Sequence, residues 1–302
     1  MPLAQCATHP HNDAKRGMGA TRGRATARVT RMQHWTLDDI PWERFDRSRV
    51  DPEVLKVVKA ASMVEANGGD YATYLCNIFH DDPEFQQVAN DWAREEIQHG
   101  MALARWAAIV DPTFDFDAAF KRFTDGFKIE TWRTESLRGS RSGELVSRCI
   151  VETGTSSYYS ALKDATDEPV LKEICRNIAA DEFRHYKLFY NYLNRYLAAE
   201  GIGPVRRFAA AVSRIRESED DELAYAYYAA NYADERYDHK RFIRAYLRRA
   251  YSFYRPPHIQ RGIGMILKSV GLTPNGRLNA FLTKWVSRLL RFRVQRLARA
   301  EM

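Results

Sequence analysis

The sequence predicts an all-α protein built on four long helices with one long crossover, extended by further helices at its C-terminal end. Three observations lead there. Beyond Asp51, apolar residues recur at spacings of three and four, and few segments alternate with the two-residue period of a strand. Asp51-Pro52, Asp82-Pro83 and Asp111-Pro112 each set a capping carboxylate before a proline that suits the first helical position, and Glu168-Pro169 does the same. Long helical patterns run between these signals with few internal breakers.

In chain order, residues 1–33 are rich in Arg, Gly, Ala, Thr and His. They read as a disordered basic leader, with Met32 an alternative initiator. Residues 1–31 carry no apolar stretch of the secretory kind. Core helices are expected at 52–79, 83–110, 142–166 and 168–200. The connection 111–141 is long enough for a helix of its own. Residues 34–203 thus form one bundle, and 204–302 a helical extension with helices at 204–216, 219–251 and 276–300. Pro256-Pro257 and Pro274-Asn275-Gly276 are breaks in that extension. Four helices with one long crossover is the arrangement of a ferritin-like four-helix bundle.

The 302 residues are 45% hydrophobic, which suits a globular chain with a sizeable core. No stretch approaches the roughly 20 apolar residues of a membrane-spanning helix, so the expectation is a cytoplasmic protein. Cys6, Cys76, Cys149 and Cys175 show no CxxC spacing and read as buried thiols of a reducing compartment. A redox protein of this sequence therefore takes its electrons from outside. Charge is segregated. Residues 239–302 hold fifteen basic side chains and one acid, residues 1–31 six and one, and residues 32–238 twenty-five and thirty-seven. An acidic body with a basic tail points to an anionic partner for the tail.

Two Glu-x-x-His motifs occur, Glu96-Ile-Gln-His99 and Glu182-Phe-Arg-His185. At this spacing both side chains share one helix face and can grip one metal ion. Alone, such a motif says little. Here Glu65 precedes the first motif by 31 residues and Glu152 the second by 30, so the halves form an internal repeat. Four carboxylates and two imidazoles facing one bundle core need cations to compensate them. This is the ligand set of ferritin-like di-iron and di-manganese proteins. The donors suit two iron ions, with manganese a second fit.

The segment Ile174-Cys-Arg-Asn-Ile-Ala-Ala-Asp-Glu-Phe-Arg-His185 closely resembles the second iron motif of soluble acyl-carrier-protein desaturases. Trp92-Ala-Arg-Glu95-Glu96-Ile-Gln-His99-Gly100 resembles the first, and Glu152 followed by Thr155, and Glu65 by Tyr71, match the family's spacing. The resemblance covers roughly residues 50–200. Gln98 stands where that family has Arg, and Gly68-Gly69 replaces its Leu-Pro. The resemblance implies an oxygen-dependent di-iron oxidoreductase acting on a fatty acyl thioester, with an external donor such as ferredoxin. It implies iron held by the six ligands, with carboxylates of the Glu96 and Glu152 type bridging. It makes Thr155 a proton donor beside bound oxygen, although that hydroxyl can equally cap a backbone carbonyl. It makes Trp92 part of an electron route, although core packing explains Trp92 as well. Rival readings are another di-iron oxygenase (hydroxylase, N-oxygenase or aldehyde-deformylating) and a non-catalytic ferroxidase.

Around the ligands, Asp181 reads as the acceptor for the outer nitrogen of a ligating imidazole. Glu95 reads as solvated, and Tyr158, Tyr159, Tyr186, Phe189, Tyr190 and Tyr192 as core and rim. The last helix carries Leu278, Phe281, Leu282, Trp285, Leu289 and Phe292 on one stripe beside Arg277, Lys284, Arg288 and Arg291. Packing on the bundle with solvated charges is one explanation. Contact with an anionic membrane surface on the inner face of the membrane, or with an acyl carrier protein, is another. No nucleic-acid reading motif accompanies the charge, and a homodimer is compatible with the pattern.

Overall fold

The computed structural model describes residues 34–217 and 221–299. The expected leader 1–33, the alternative start at Met32, and Cys6 lie outside them. The chain is all-α, and among the described residues no strand occurs. Three short 3₁₀ turns within Leu37–Arg49 lead into α1 (Pro52–Ala66), α2 (Gly68–Ile78), α3 (Pro83–Val110), α4 (Phe116–Gly126), α5 (Arg141–Ala165) and α6 (Pro169–Glu200). Then follow α7 (Pro204–Glu217), α8 (Asp221–Asn231), α9 (His239–Ser252), α10 (Pro256–Ser269) and α11 (Arg277–Arg299).

The capping signals act as expected at three starts. Asp51 accepts from the Glu53 amide, Asp82 from that of Phe85 and Glu168 from that of Leu171, each before a proline. Asp111-Pro112 is a correction. Asp111 ends α3, and its carboxylate takes the Thr113 amide at 3.0 Å and Lys59 Nζ at 2.6 Å. The cap of α4 is Asp115 instead.

Three further boundaries differ. The expected helix 52–79 is broken at Asn67 into α1 and α2. There the chain runs so close to α3 that a Cβ on Gly68 would lie 2.7 Å from Glu96 Cβ. Gly100 allows the matching approach from α3, where a Cβ would lie 2.6 Å from the Ala66 nitrogen. These two glycines bring Glu65 up to the Glu96–His99 turn. The expected helix 219–251 is two helices. Asp238 caps α9, and Tyr225, Tyr228, Tyr232, Tyr237 and Phe242 stack across the reversal. Pro256-Pro257, read as a break, opens α10, because a ring at the first helical position has the right φ and lacks only an orphan amide.

α5 lies along α6, α1 and α2 along α3, and α3 meets α6, while α4 sits in the crossover between α3 and α5. α8 packs on α1 and α10 on α5, so the C-terminal helices share the core of the first six. Two apolar clusters result. One gathers Val57, Trp106, Leu162, Ile178 and Tyr227, the other Leu75, Phe85, Val146, Phe189 and Met265. Between them runs a buried layer of charged and polar side chains.

Candidate metal centre

That layer contains all six expected ligands. Glu65 comes from α1, Glu96 and His99 from α3, Glu152 from α5, and Glu182 and His185 from α6, and every one is buried. Their donor atoms form two groups, Glu65–Glu96–His99–Glu182 and Glu96–Glu152–Glu182–His185, each with its donors within 4.8 Å of one another. Glu96 and Glu182 belong to both. The shared carboxylates are therefore the two from the Glu-x-x-His motifs. Glu152, delivered by α5, belongs only to the group that contains His185.

His99 Nδ1 faces inward, 3.2 Å from Glu182 Oε1 and 3.7 Å from Glu65 Oε2. His185 Nδ1 does the same, 2.9 Å from Glu96 Oε1 and 3.7 Å from Glu152 Oε2. Yet Glu96 Oε1, His99 Nδ1, Glu182 Oε1 and His185 Nδ1 are all buried without a hydrogen bond of acceptable geometry. Orphaned inward-facing donors of this kind, carboxylate and imidazole together, could hold metal ions.

Electrostatics agree. Burial and the charge of Glu96 push Glu65 up to about 8. Burial and Glu182 push Glu152 well above the usual carboxylate range, and burial with Glu96 and Glu65 raises Glu182. Burial would raise Glu96 too, but the adjacent imidazoles of His185 and His99 hold it well below that range. Burial opposes charge on the imidazoles, but Asp181 and Glu182 around His99, and Glu95 and Glu96 around His185, raise both well above their ordinary value. Protons here do the compensating that cations would do.

The outer nitrogens are held reciprocally. His99 Nε2 lies 3.1 Å from Asp181 Oδ2, the acceptor expected there. His185 Nε2 lies 2.9 Å from Glu95 Oε2. Glu95 is thus half-buried and engaged, not solvated, because the α3–α6 contact turns it toward His185. Each acceptor immediately precedes the motif glutamate of the opposite helix, a symmetry already present in the repeat. An N–H donated outward from Nε2 leaves the Nδ1 lone pair for a metal. Arg184 donates to both Asp181 and Glu95 and ties the two pairs together.

Several contributors escaped the sequence reading. The Tyr159 hydroxyl donates to Glu65 Oε1 at 2.6 Å, so this tyrosine is more than core. Arg148 is buried, donates to Glu152 Oε1 at 3.1 Å, and lies over the rings of Trp92 and Tyr71. Both stand four or seven residues from Glu152 on α5, a helical spacing that carried the signal. Trp35 had none. Its indole N–H donates to Asp181 Oδ2 at 2.7 Å, its ring stacks on His99 at 5.9 Å, and Gln98 Nε2 donates to its carbonyl at 2.8 Å.

Thr155 Oγ1 donates to Glu182 and also lies 3.3 Å from the Val151 and Glu152 carbonyls, so both readings of this hydroxyl have a bond behind them. Trp92 is buried edge-on to His185 at 6.5 Å, and its indole N–H has no acceptor. A cavity of about 490 Å³ opens beside the layer and touches Glu65, Glu96 and Thr155. Val151, Tyr158, Tyr246, Leu247, Ala250 and Tyr254 line its apolar part, and Arg138, Glu144, Glu217 and the exposed Lys128 its polar mouth. The Tyr71 hydroxyl closes one wall by donating to Glu222 at 2.9 Å.

Cys76, Cys149 and Cys175 are buried and unbridged, and burial raises the thiols of Cys149 and Cys175. Among the described residues no helix is long and apolar enough to cross a membrane. No protein-family model matches the chain, and no curated protein matches it.

Proposed function

We propose that this chain is a ferritin-like di-iron oxidoreductase that activates oxygen against an acyl or similarly lipid-like substrate. The observation that carries the reading is the set of four orphaned donor atoms around two adjoining positions that share Glu96 and Glu182. Ligands come from α1, α3, α5 and α6, with the crossover helix α4 between the two pairs, as the ferritin-like arrangement requires. Glu65, Glu96, His99, Glu152, Glu182 and His185 would hold the ions. Two reduced irons held there would deliver electrons to O₂, and O₂ would be the oxidant for an unactivated C–H bond.

The protein's own side chains do the rest. Asp181 and Glu95 fix the tautomer and orientation of the imidazoles. Tyr159, held far above its ordinary pKa by burial and by Glu65, remains a hydrogen-bond donor to that carboxylate. Thr155 holds its proton on the Glu182 oxygen at the cavity wall, where a hydroxyl can pass it on. The apolar part of the cavity can seat an extended chain beside the layer, and the exposed Lys128 suits an anionic head. This cavity supports substrate chemistry over iron storage. Of the two nearby tryptophans, Trp35 has the hydrogen-bonded connection to a ligand imidazole, so an external donor of ferredoxin type is proposed to dock near residues 34–36.

Two measurements test the reading. Iron analysis of purified protein should give about two irons per chain, bound through these residues. Mass spectrometry of lipids and acyl thioesters from cells with and without the gene should show an oxidised or desaturated chain. Iron uptake without any such product, together with mineral formation, would make the protein a ferroxidase. A hydroxylated, N-oxygenated or shortened product would name a different oxygenase on the same bundle.

A further inference from the structure

We infer that α11 is a peripheral membrane-binding helix, which seats the protein on an anionic lipid surface through Leu278, Phe281, Trp285, Leu289 and Phe292. The helix is two-faced. Asn279 and Thr283 are buried, Leu297 packs against the core, and the helix rests on α9 and α10. The opposite face is uncovered, with Leu278 47%, Phe281 64%, Trp285 55%, Leu289 39% and Phe292 61% exposed. Recurring every three or four residues, these side chains form one continuous stripe about 21 Å long. Isolated apolar side chains are ordinary on a surface, whereas a contiguous stripe with three aromatics marks a contact site.

Charge identifies the occupant. Arg277, Lys284, Arg288 and Arg291 are exposed along one flank of the stripe, and residues 277–299 contain no acid. Among the described residues none of these four pairs with a carboxylate. A second copy meeting α11 with its own α11 would set these cations against their own kind. An acidic protein would satisfy the cations but leave five large apolar side chains without a layer to enter. A bilayer surface meets both needs, with anionic headgroups for the cations and the acyl boundary for the stripe. Since no described helix is long and apolar enough to cross a membrane, the association is peripheral. Arg293 of the same helix lies over the ring of Tyr251, 5.6 Å from its centroid, and Tyr251 lines the cavity, so the helix stands beside the cavity's apolar part. The inference rests on exposure and charge and holds whatever metal the centre binds.

The test uses the full chain and sedimentation with phosphatidylglycerol–phosphatidylcholine vesicles, against phosphatidylcholine alone. Binding to the anionic vesicles should exceed binding to the neutral ones by at least about tenfold and should fall as salt shortens the screening length. Phe281→Ser/Trp285→Ser should weaken it by about tenfold or more, and Arg288→Glu/Arg291→Glu by at least about fivefold per cation lost. Both pairs are exposed, so circular dichroism should stay that of the parent. Brominated lipids should quench the parent's fluorescence and lose most of that effect in Trp285→Phe. Undiminished vesicle binding by the Phe281/Trp285 variant would overturn the inference. So would failure of the parent to bind anionic vesicles, including the case in which it binds an acidic carrier protein instead.

Discussion

The two halves of the candidate metal centre share an inner design and differ in what stands behind it. Each half offers a lone glutamate, a motif glutamate and a histidine whose Nδ1 points inward. Behind His99 stands Asp181, its side chain 7% exposed and bonded to the Trp35 indole. Behind His185 stands Glu95, 21% exposed and bonded to Arg184 and His34. Glu65 receives a neutral phenol and Glu152 a guanidinium. Repetition of a helical spacing thus reproduces the ligands, whereas the outer partners depend on which neighbouring element reaches each half and on how near water lies.

Removing one imidazole at a time should have the largest effect on the two halves. If the halves are separate positions joined by Glu96 and Glu182, His99→Ala and His185→Ala should each cut the iron content from about two to about one or less per chain, and the double variant should empty the centre. Full occupancy in His99→Ala/His185→Ala, read by elemental analysis, would refute the assignment.

A sharper probe compares the outer acceptors. Asp181→Ala leaves the His99 Nε2–H buried without a partner, and iron affinity should drop by about ten- to a hundredfold. Glu95→Ala exposes His185 to water that can replace the lost acceptor, so its loss should stay below about tenfold. Competition with a metal-sensitive chelator reads both. Equal losses would mean that solvent access does not separate the halves.

Proton linkage is an effect shared by the two halves. Glu65, near 8, and the raised Glu152 and Glu182 hold protons in the folded, metal-free chain that the unfolded chain has released above about pH 5. The folded state then binds more protons, so its stability must fall as pH rises from about 5 to about 8, by about 1.4 kcal/mol per pH unit for each extra proton bound. The raised imidazoles act with the same sign. Asp181, held at about 2, loses its contribution only well below this window. Denaturant unfolding across that range should show the decline in metal-free protein and a flatter profile with Fe²⁺ or Mn²⁺ present. A rise in the metal-free protein would contradict the buried charge state described above.

The gentlest change is Thr155→Val. It removes one hydroxyl bond to Glu182 and should leave iron content and melting temperature near those of the parent. Turnover should become uncoupled, with oxygen consumed in excess of product and peroxide released. Tight coupling in this variant would leave Thr155 with its backbone bonds alone.

Much of this was legible because helical chemistry is local. Caps and first-turn prolines at 51–52, 82–83 and 168–169 mark helix starts, and a doubled Glu-x-x-His with a glutamate about thirty residues ahead marks the ligands. Each depends on groups a few residues apart on one helix. The sequence alone therefore determined an all-helical chain and the six residues of the buried cluster. Tertiary structure decided what depends on approach between helices. Asn67 breaks the first helix because Gly68 sits against Glu96, Asp111 serves Lys59 rather than α4, and Glu95 reaches across to His185. It also placed Glu182 in both donor groups and Glu152 in one, and brought Trp35 against Asp181 across 146 residues. Such pairings are set by how side chains fill the space between α3, α5 and α6, and spacing along one helix carries no record of its neighbour's rotation.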